Sequence, residues 1–134
     1  MVKYKAKIHY NRRIKNMGIF NRKNKDTTSS LNGNSILKIS VTNDGTEYTF
    51  FLEGRLDTIT SPNLDSKINE VINGATKLTM DLAKLEYISS AGLRVLLGAL
   101  QAMEDKGEMV VCNLTAPVRE IFELTGFANL FNIK

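Results

Sequence analysis

Residues 81–97 read DLAKLEYISSAGLRVLL, and the architecture depends on where extended chain gives way to helix within them. The preceding Lys77 continues through LTMD as a short strand over 77–81. Ser90 opens a strongly apolar helix predicted over 90–105 and closed by Gly107. A hydroxyl at that boundary has two readings. Serine is a favoured helix N-cap, worth about 1 kcal/mol over alanine. It is also a place where a phosphate would be tolerated by unpaired backbone N–H groups.

Working outward, ILKISVT (36–42) alternates, NDGT (43–46) is a turn signal, and EYTFFLEG (47–54) resumes as a strand, which predicts a β-hairpin. Ser61 followed by Pro62 reads as an N-cap and first helical residue, and Leu64, Ile68, Val71 and Ile72 repeat at helical spacing before Gly74. EMVVC (108–112) supplies another strand. A third helix follows Thr115-Ala116-Pro117, with Val118, Ile121, Phe122 and Leu124 expected on its inner face and Gly126 at its end. Residues 127–133 form a terminal apolar segment, strand or packed coil. The predicted order is ββαβαβα(β): an α/β fold with a mixed sheet of four to five strands and three to four helices.

The 134 residues carry a formal charge of +4, but that charge is unevenly placed. Residues 1–35 hold nine Lys or Arg against the single acid Asp26, a formal +8, so the remaining 99 residues carry −4. Residues 1–35 are therefore read as a basic arm and linker, ending in the polar stretch NRKNKDTTSSLNGNS (21–35), and 36–134 as the folded domain. Within the arm, Val2, Tyr4, Ala6, Ile8 and Tyr10 alternate with polar residues. Three readings stay open for it: an added edge strand, a solvated basic arm, or a weak contact with an anionic surface such as RNA or lipid headgroups. Met17 is an alternative start.

Several function classes are poorly supplied. One cysteine, Cys112, excludes an internal disulfide, and its setting in MVVC (109–112) predicts a buried thiol. One histidine, His9, and one cysteine do not make a standard zinc site, and there is no phosphate-binding G-x-x-x-x-G-K-[ST] loop. No metal and no cofactor are expected. A serine hydrolase built on Ser90 lacks G-x-S-x-G, since Ile88 stands two residues before it. Specific nucleic-acid recognition would rest on the arm alone. The chain has no secretory h-region and no apolar run long enough to span a bilayer, so a cytoplasmic protein is expected.

In open α/β sheets, chemistry gathers beyond the carboxyl ends of parallel strands. Two stretches read as loops at that end: 54–61 (GRLDTITS) and 82–89 (LAKLEYIS). Asp57 in the first and Ser90 after the second are therefore expected on one rim. A short acid in a turn also bonds its own backbone without any further function.

Three ordered blocks now stand together: FLEGRLD (51–57), DLAKLEYISSAGLR (81–94) and GEMVVCNL (107–114). With them, residues 37–133 resemble the STAS-domain anti-sigma factor antagonist family. The resemblance implies a STAS fold and a non-catalytic regulator that binds an anti-sigma factor acting also as a serine kinase. It implies a phosphatase as second partner, phosphorylation at Ser90, and a binding face including Asp57, Ser89, Ser90, Ala91, Gly92 and Arg94. Three positions depart from the commonest family pattern. Ser89 stands where an acid often precedes the acceptor, Ala91 where a hydroxyl residue often follows it, and Arg94 where glycine is frequent. The alternative within the same fold is a STAS-type subunit of a lipid- or anion-transport complex.

Overall fold

The computed structural model describes residues 28–30 and 36–134. Among them, strands β1 (Thr28–Ser30), β2 (Ile36–Asp44), β3 (Glu47–Leu56), β4 (Lys77–Ile88), β5 (Glu108–Cys112) and β6 (Asn132–Ile133) form one sheet in sequential order. Helices α1 (Ser61–Val71), α2 (Ser90–Met103) and α3 (Ala116–Leu124) bridge the last four strands. The pairs β1–β2 and β2–β3 are antiparallel, whereas β3–β4, β4–β5 and β5–β6 are parallel. The expected mixed α/β sheet is therefore present. Its first strand lies within the stretch read as a linker, where Ser29 pairs with Leu37. The alternating segment 2–10, His9 and Met17 lie outside the described residues.

The hairpin follows from its residues. Leu37, Ile39, Phe50 and Leu52 point to the core, while Lys38, Ser40, Phe51 and Glu53 face away from it. Asp44 pairs with Glu47, leaving Gly45 and Thr46 as a two-residue loop. Gly45 takes φ +65°, the positive value that a right-twisted hairpin asks of its first central residue.

Three successive βαβ crossovers run to the next strand in line, and the right-handed rule for such connections places their helices on one side of the sheet. Burial agrees with this placement. Leu56, Leu78, Met80, Leu64, Ile68, Leu96, Val118 and Phe122 belong to one core cluster, each essentially fully buried. On the other side of the sheet Phe51 is 41% exposed. Phe131 meets Phe122 edge-on at 5.7 Å, fastening the chain end beneath α3. The terminal apolar segment resolves into a 3₁₀ turn (Phe127–Asn129) and the short β6.

Four sequence expectations need correction. The third strand continues to Ile88 instead of stopping at Asp81, because β4 shifts register twice against β3, between Phe51/Glu53 and Gly54/Arg55. The extra residues break the period-two pattern: Leu82 is buried, Ala83 and Lys84 are both exposed, and Leu85 is buried again. Helix α1 is preceded by Thr60, with Ser61 and Pro62 both inside its first turn. Helix α2 ends at Met103, and Gly107 N–H bonds back to the Met103 carbonyl at 3.0 Å. On α3, Val118 and Phe122 are buried but Leu124 is 79% exposed, because a residue two beyond Phe122 lies about halfway round the helix, on the opposite face.

The carboxyl-end rim as a candidate binding site

The lengthening of β4 draws the rim tighter than two long loops would. Leu56 pairs with Ile88 at the last rung, and the next backbone N–H, that of Ser89, donates to the Leu56 carbonyl at 2.9 Å. Asp57 and Ser89 are thus the first residues beyond neighbouring strand ends. Residues 54–56 and 82–88, read from sequence as loop, are strand. The rim that those loops were meant to form survives.

Asp57 organises its own loop. Its Oδ1 accepts the backbone N–H groups of Ile59 (3.0 Å) and Thr60 (3.1 Å). Its carbonyl accepts Ser61 N–H (2.8 Å) and the Ser61 hydroxyl (2.6 Å). The Thr60 hydroxyl donates to Arg55 O at 2.8 Å and accepts Asp57 N–H at 2.9 Å. Thr60 and Ser61 are buried, so these bonds satisfy groups that water does not reach. The carboxylate thereby fixes the entry to α1 while staying only half-buried at the surface.

At α2 the capping role belongs to Ser89. Its extended backbone (φ −98°, ψ 174°) turns its Oγ toward the helix, where it accepts Gly92 N–H at 3.3 Å. Ser90, expected at the boundary, is the first helical residue and is exposed. Its hydroxyl takes no hydrogen bond among the described residues. The reason is positional: an N-cap needs extended dihedrals, and Ser89 is the residue that leaves the strand.

Gly92 is buried, and a Cβ there would come within 2.7 Å of Leu56 Cγ and 3.0 Å of Ile88 Cγ1. Its absent side chain lets the first turn of α2 lie on the last rung of the sheet, which is what lifts Ser90 to the surface. Ala91 is half-buried and Arg94 is exposed. The six residues expected on the face thus divide. Asp57, Ser89 and Gly92 build it, Ala91 is half-buried beside Gly92, and Ser90 and Arg94 present their side chains to solvent.

Sequence reasoning gave no role to Arg55 and Tyr87, which also belong here. They are paired across β3 and β4, with the Arg55 guanidinium 4.4 Å from the Tyr87 ring centroid. Arg55 Nε lies 3.9 Å from Asp57 Oδ2. The spacing Arg55-Leu56-Asp57 was legible, but Tyr87 could be matched to Arg55 only once β4 was known to reach Ile88.

Cys112 ends β5 half-buried instead of fully enclosed. Burial pushes its thiol pKa up, and the nearby Asp81 carboxylate adds to that shift. Among the described residues there is no cluster of three or more side chains placed to hold a metal ion, and no helix long and apolar enough to cross a membrane.

The sequence pattern of the STAS domain matches residues 38–134. The chain belongs to the STAS domain family. BtrV of Bordetella bronchiseptica, named as an anti-sigma factor antagonist, is 40% identical over 84 residues, 61% of this chain and 72% of that protein. The anti-sigma-B factor antagonist of Listeria monocytogenes is 30% identical over 87 residues, 63% of this chain and 75% of the relative. Among solved structures, an anti-sigma factor antagonist from Mycobacterium paratuberculosis superposes with a TM-score of 0.67 at 22% identity, covering 72% of this chain and 84% of that one. The unphosphorylated form of the anti-sigma factor antagonist SpoIIAA gives 0.58 at 18% identity, covering 73% and 86%. At these identities the superpositions establish a shared STAS fold.

Proposed function

We propose that this STAS protein is an anti-sigma factor antagonist in a partner-switching system: it binds an anti-sigma factor that is also a serine kinase, and phosphorylation of Ser90 releases it. The observation that carries this reading is the division of labour between adjacent serines. Ser89 caps the helix, so the Ser90 hydroxyl stands exposed in the first turn of α2, with no hydrogen bond among the described residues. The names carried by its relatives in Bordetella and Listeria support the same class of function.

The switch needs no unfolding. A phosphate on Ser90 brings nearly two negative charges to the first turn of α2, where the helix dipole favours an anion. The core beneath, from Leu56 to Gly92, has no reason to move. What changes is docking: enclosing that charge in an interface without matching cations costs several kcal/mol, which lowers affinity by orders of magnitude. A phosphatase then restores binding by removing the charge. In this reading the protein is a substrate of both enzymes and itself catalyses nothing, and its setting is the cytoplasm, where sigma factors act.

The test is incubation with ATP and the serine kinase of the source organism, followed by intact-mass measurement. One phosphate is expected on the wild type and on Ser89→Ala, and none on Ser90→Ala. Phosphate retained by Ser90→Ala would remove Ser90 from the proposal. Copurification with a transport ATPase, with no kinase bound, would support the transport-complex alternative instead.

A further inference from the structure

We infer that a phosphate on Ser90 is held within the molecule by Arg94, so that phosphorylation both adds charge to the rim and engages an arginine that has no ion pair among the described residues. This inference rests on the reading of Ser90 as a phosphoacceptor. It deepens that reading by naming the group that receives the phosphate.

Ser90 and Arg94 are i and i+4 on α2, hence neighbours on one helix face, and both are exposed. An anion N-terminal to a cation at this spacing is the favourable orientation. Arg94 has no anionic partner among the described residues. Its neighbours three and four residues away on the helix are Ser90, Ala91, Leu97 and Gly98, none of them acidic. The Arg94 side chain makes no ion pair or hydrogen bond among the described residues.

Arg55, at the end of β3, is differently placed. It already lies over Tyr87 and against Asp57, two contacts it would have to surrender to reach a phosphate. The Asp57 carboxylate, for its part, is tied to Ile59 and Thr60 and repels a second anion brought near it. Between the two arginines the geometry selects Arg94. A guanidinium donates to phosphate oxygens through two N–H groups at once, so the pair is charge-assisted and directional. In the unphosphorylated protein the same guanidinium is free to meet an acidic group on a docking partner. After phosphorylation it is engaged at home.

The experiment uses the full chain with phosphoserine installed at position 90 by amber suppression, and follows the ³¹P resonance against pH at low ionic strength. The second phosphate pKa is expected to rise by about 0.3 in Arg94→Gln, the size of a helical i, i+4 ion pair, and to stay unchanged in Arg55→Gln. About 1 M salt, with its Debye length of roughly 3 Å, should largely erase the Arg94 effect. A phosphate pKa insensitive to Arg94→Gln overturns the inference, as does a larger response to Arg55→Gln. Because the phosphate is installed directly, this outcome is separable from the parent reading. Protein from the source organism lacking phosphate on Ser90 defeats the parent reading alone, whatever the titration gives.

Discussion

The Ser89 hydroxyl oxygen accepts the backbone N–H of Gly92 at 3.3 Å, closing the first turn of α2 one residue earlier than the sequence suggests. That bond separates two roles that a pair of adjacent serines would otherwise share. Ser89→Ala should therefore cost about 1 kcal/mol in urea unfolding, as loss of an N-cap does, and Ser90→Ala less than about 0.5 kcal/mol. Ser90→Asp should hold or slightly raise stability, by roughly 0.3–1 kcal/mol, since an acid in the first turn complements the helix dipole. Equal losses for both alanine variants would mean that the cap is shared.

Gly92 and Gly54 are required for different reasons. A methyl group at Gly92 meets the Leu56 and Ile88 side chains, and some give is available there, so Gly92→Ala should cost about 1–3 kcal/mol. Gly54 has φ +110°, and an added Cβ would run into the backbone carbonyl oxygen of Ile36. Backbone cannot swing aside as a side chain can. Gly54→Ala is expected to be the more damaging of the two in thermal unfolding, and the reverse order would contradict the described packing.

Asp57 is a positioning residue whose loop can be weakened in steps. Asp57→Ala leaves Ile59 and Thr60 N–H groups without their acceptor and should cost about 1–3 kcal/mol. Asp57→Asn keeps an acceptor oxygen and should cost clearly less. Denaturant midpoints of the two variants separate the outcomes, and identical losses would show that the charge, and not the acceptor, holds the loop.

The Cys112 thiol gives the folded domain an alkaline sensitivity. Its folded pKa is raised, first by burial and then by Asp81, so above the unfolded thiol value of about 8.5 the unfolded chain gives up its proton first. In that window the native state binds more protons, and stability falls as pH rises toward the folded value. Below it, the contribution vanishes. Unfolding measured across pH 8 to 10 should show a slope that is smaller in Cys112→Ala, and equal slopes would remove Cys112 as its source.

Removal of residues 1–35 should leave a domain that unfolds cooperatively, because among the described residues the core cluster spans residues 37–131. The deletion takes away β1, whose three residues pair with Lys38, Leu37 and Ile36 at the sheet edge. Loss of a cooperative transition would show that residues before Ile36 supply core, contrary to their reading as an arm.

The fold was legible wherever side-chain period and turn chemistry agreed. The Leu37/Ile39 and Phe50/Leu52 alternation and the Asp44-Gly45 turn sit where expected, and Pro62 and Pro117 each mark a helix start to within a residue. It was illegible where an irregularity erased the period. The bulges opposite Phe51/Glu53 and Gly54/Arg55 hid the second half of β4, and with it the pairing of Arg55 and Tyr87. β1 carries no apolar alternation in Thr28-Ser29-Ser30 and is recognisable only through the strand it joins. At the rim, residue type placed two adjacent serines at the start of α2. Which one caps depends on backbone dihedrals that no residue type specifies, and the structure gives that task to Ser89.

The central claim is that charge at Ser90, and not the loss of its hydroxyl, turns partner binding off. Isothermal titration of the anti-sigma kinase of the source organism into wild type, Ser90→Ala and Ser90→Asp tests this directly. The account predicts that Ser90→Ala binds within a few-fold of wild type, and that Ser90→Asp, although equally well folded, binds at least about a hundredfold more weakly, or about 2.7 kcal/mol. Ser90→Asp binding as tightly as wild type would contradict it.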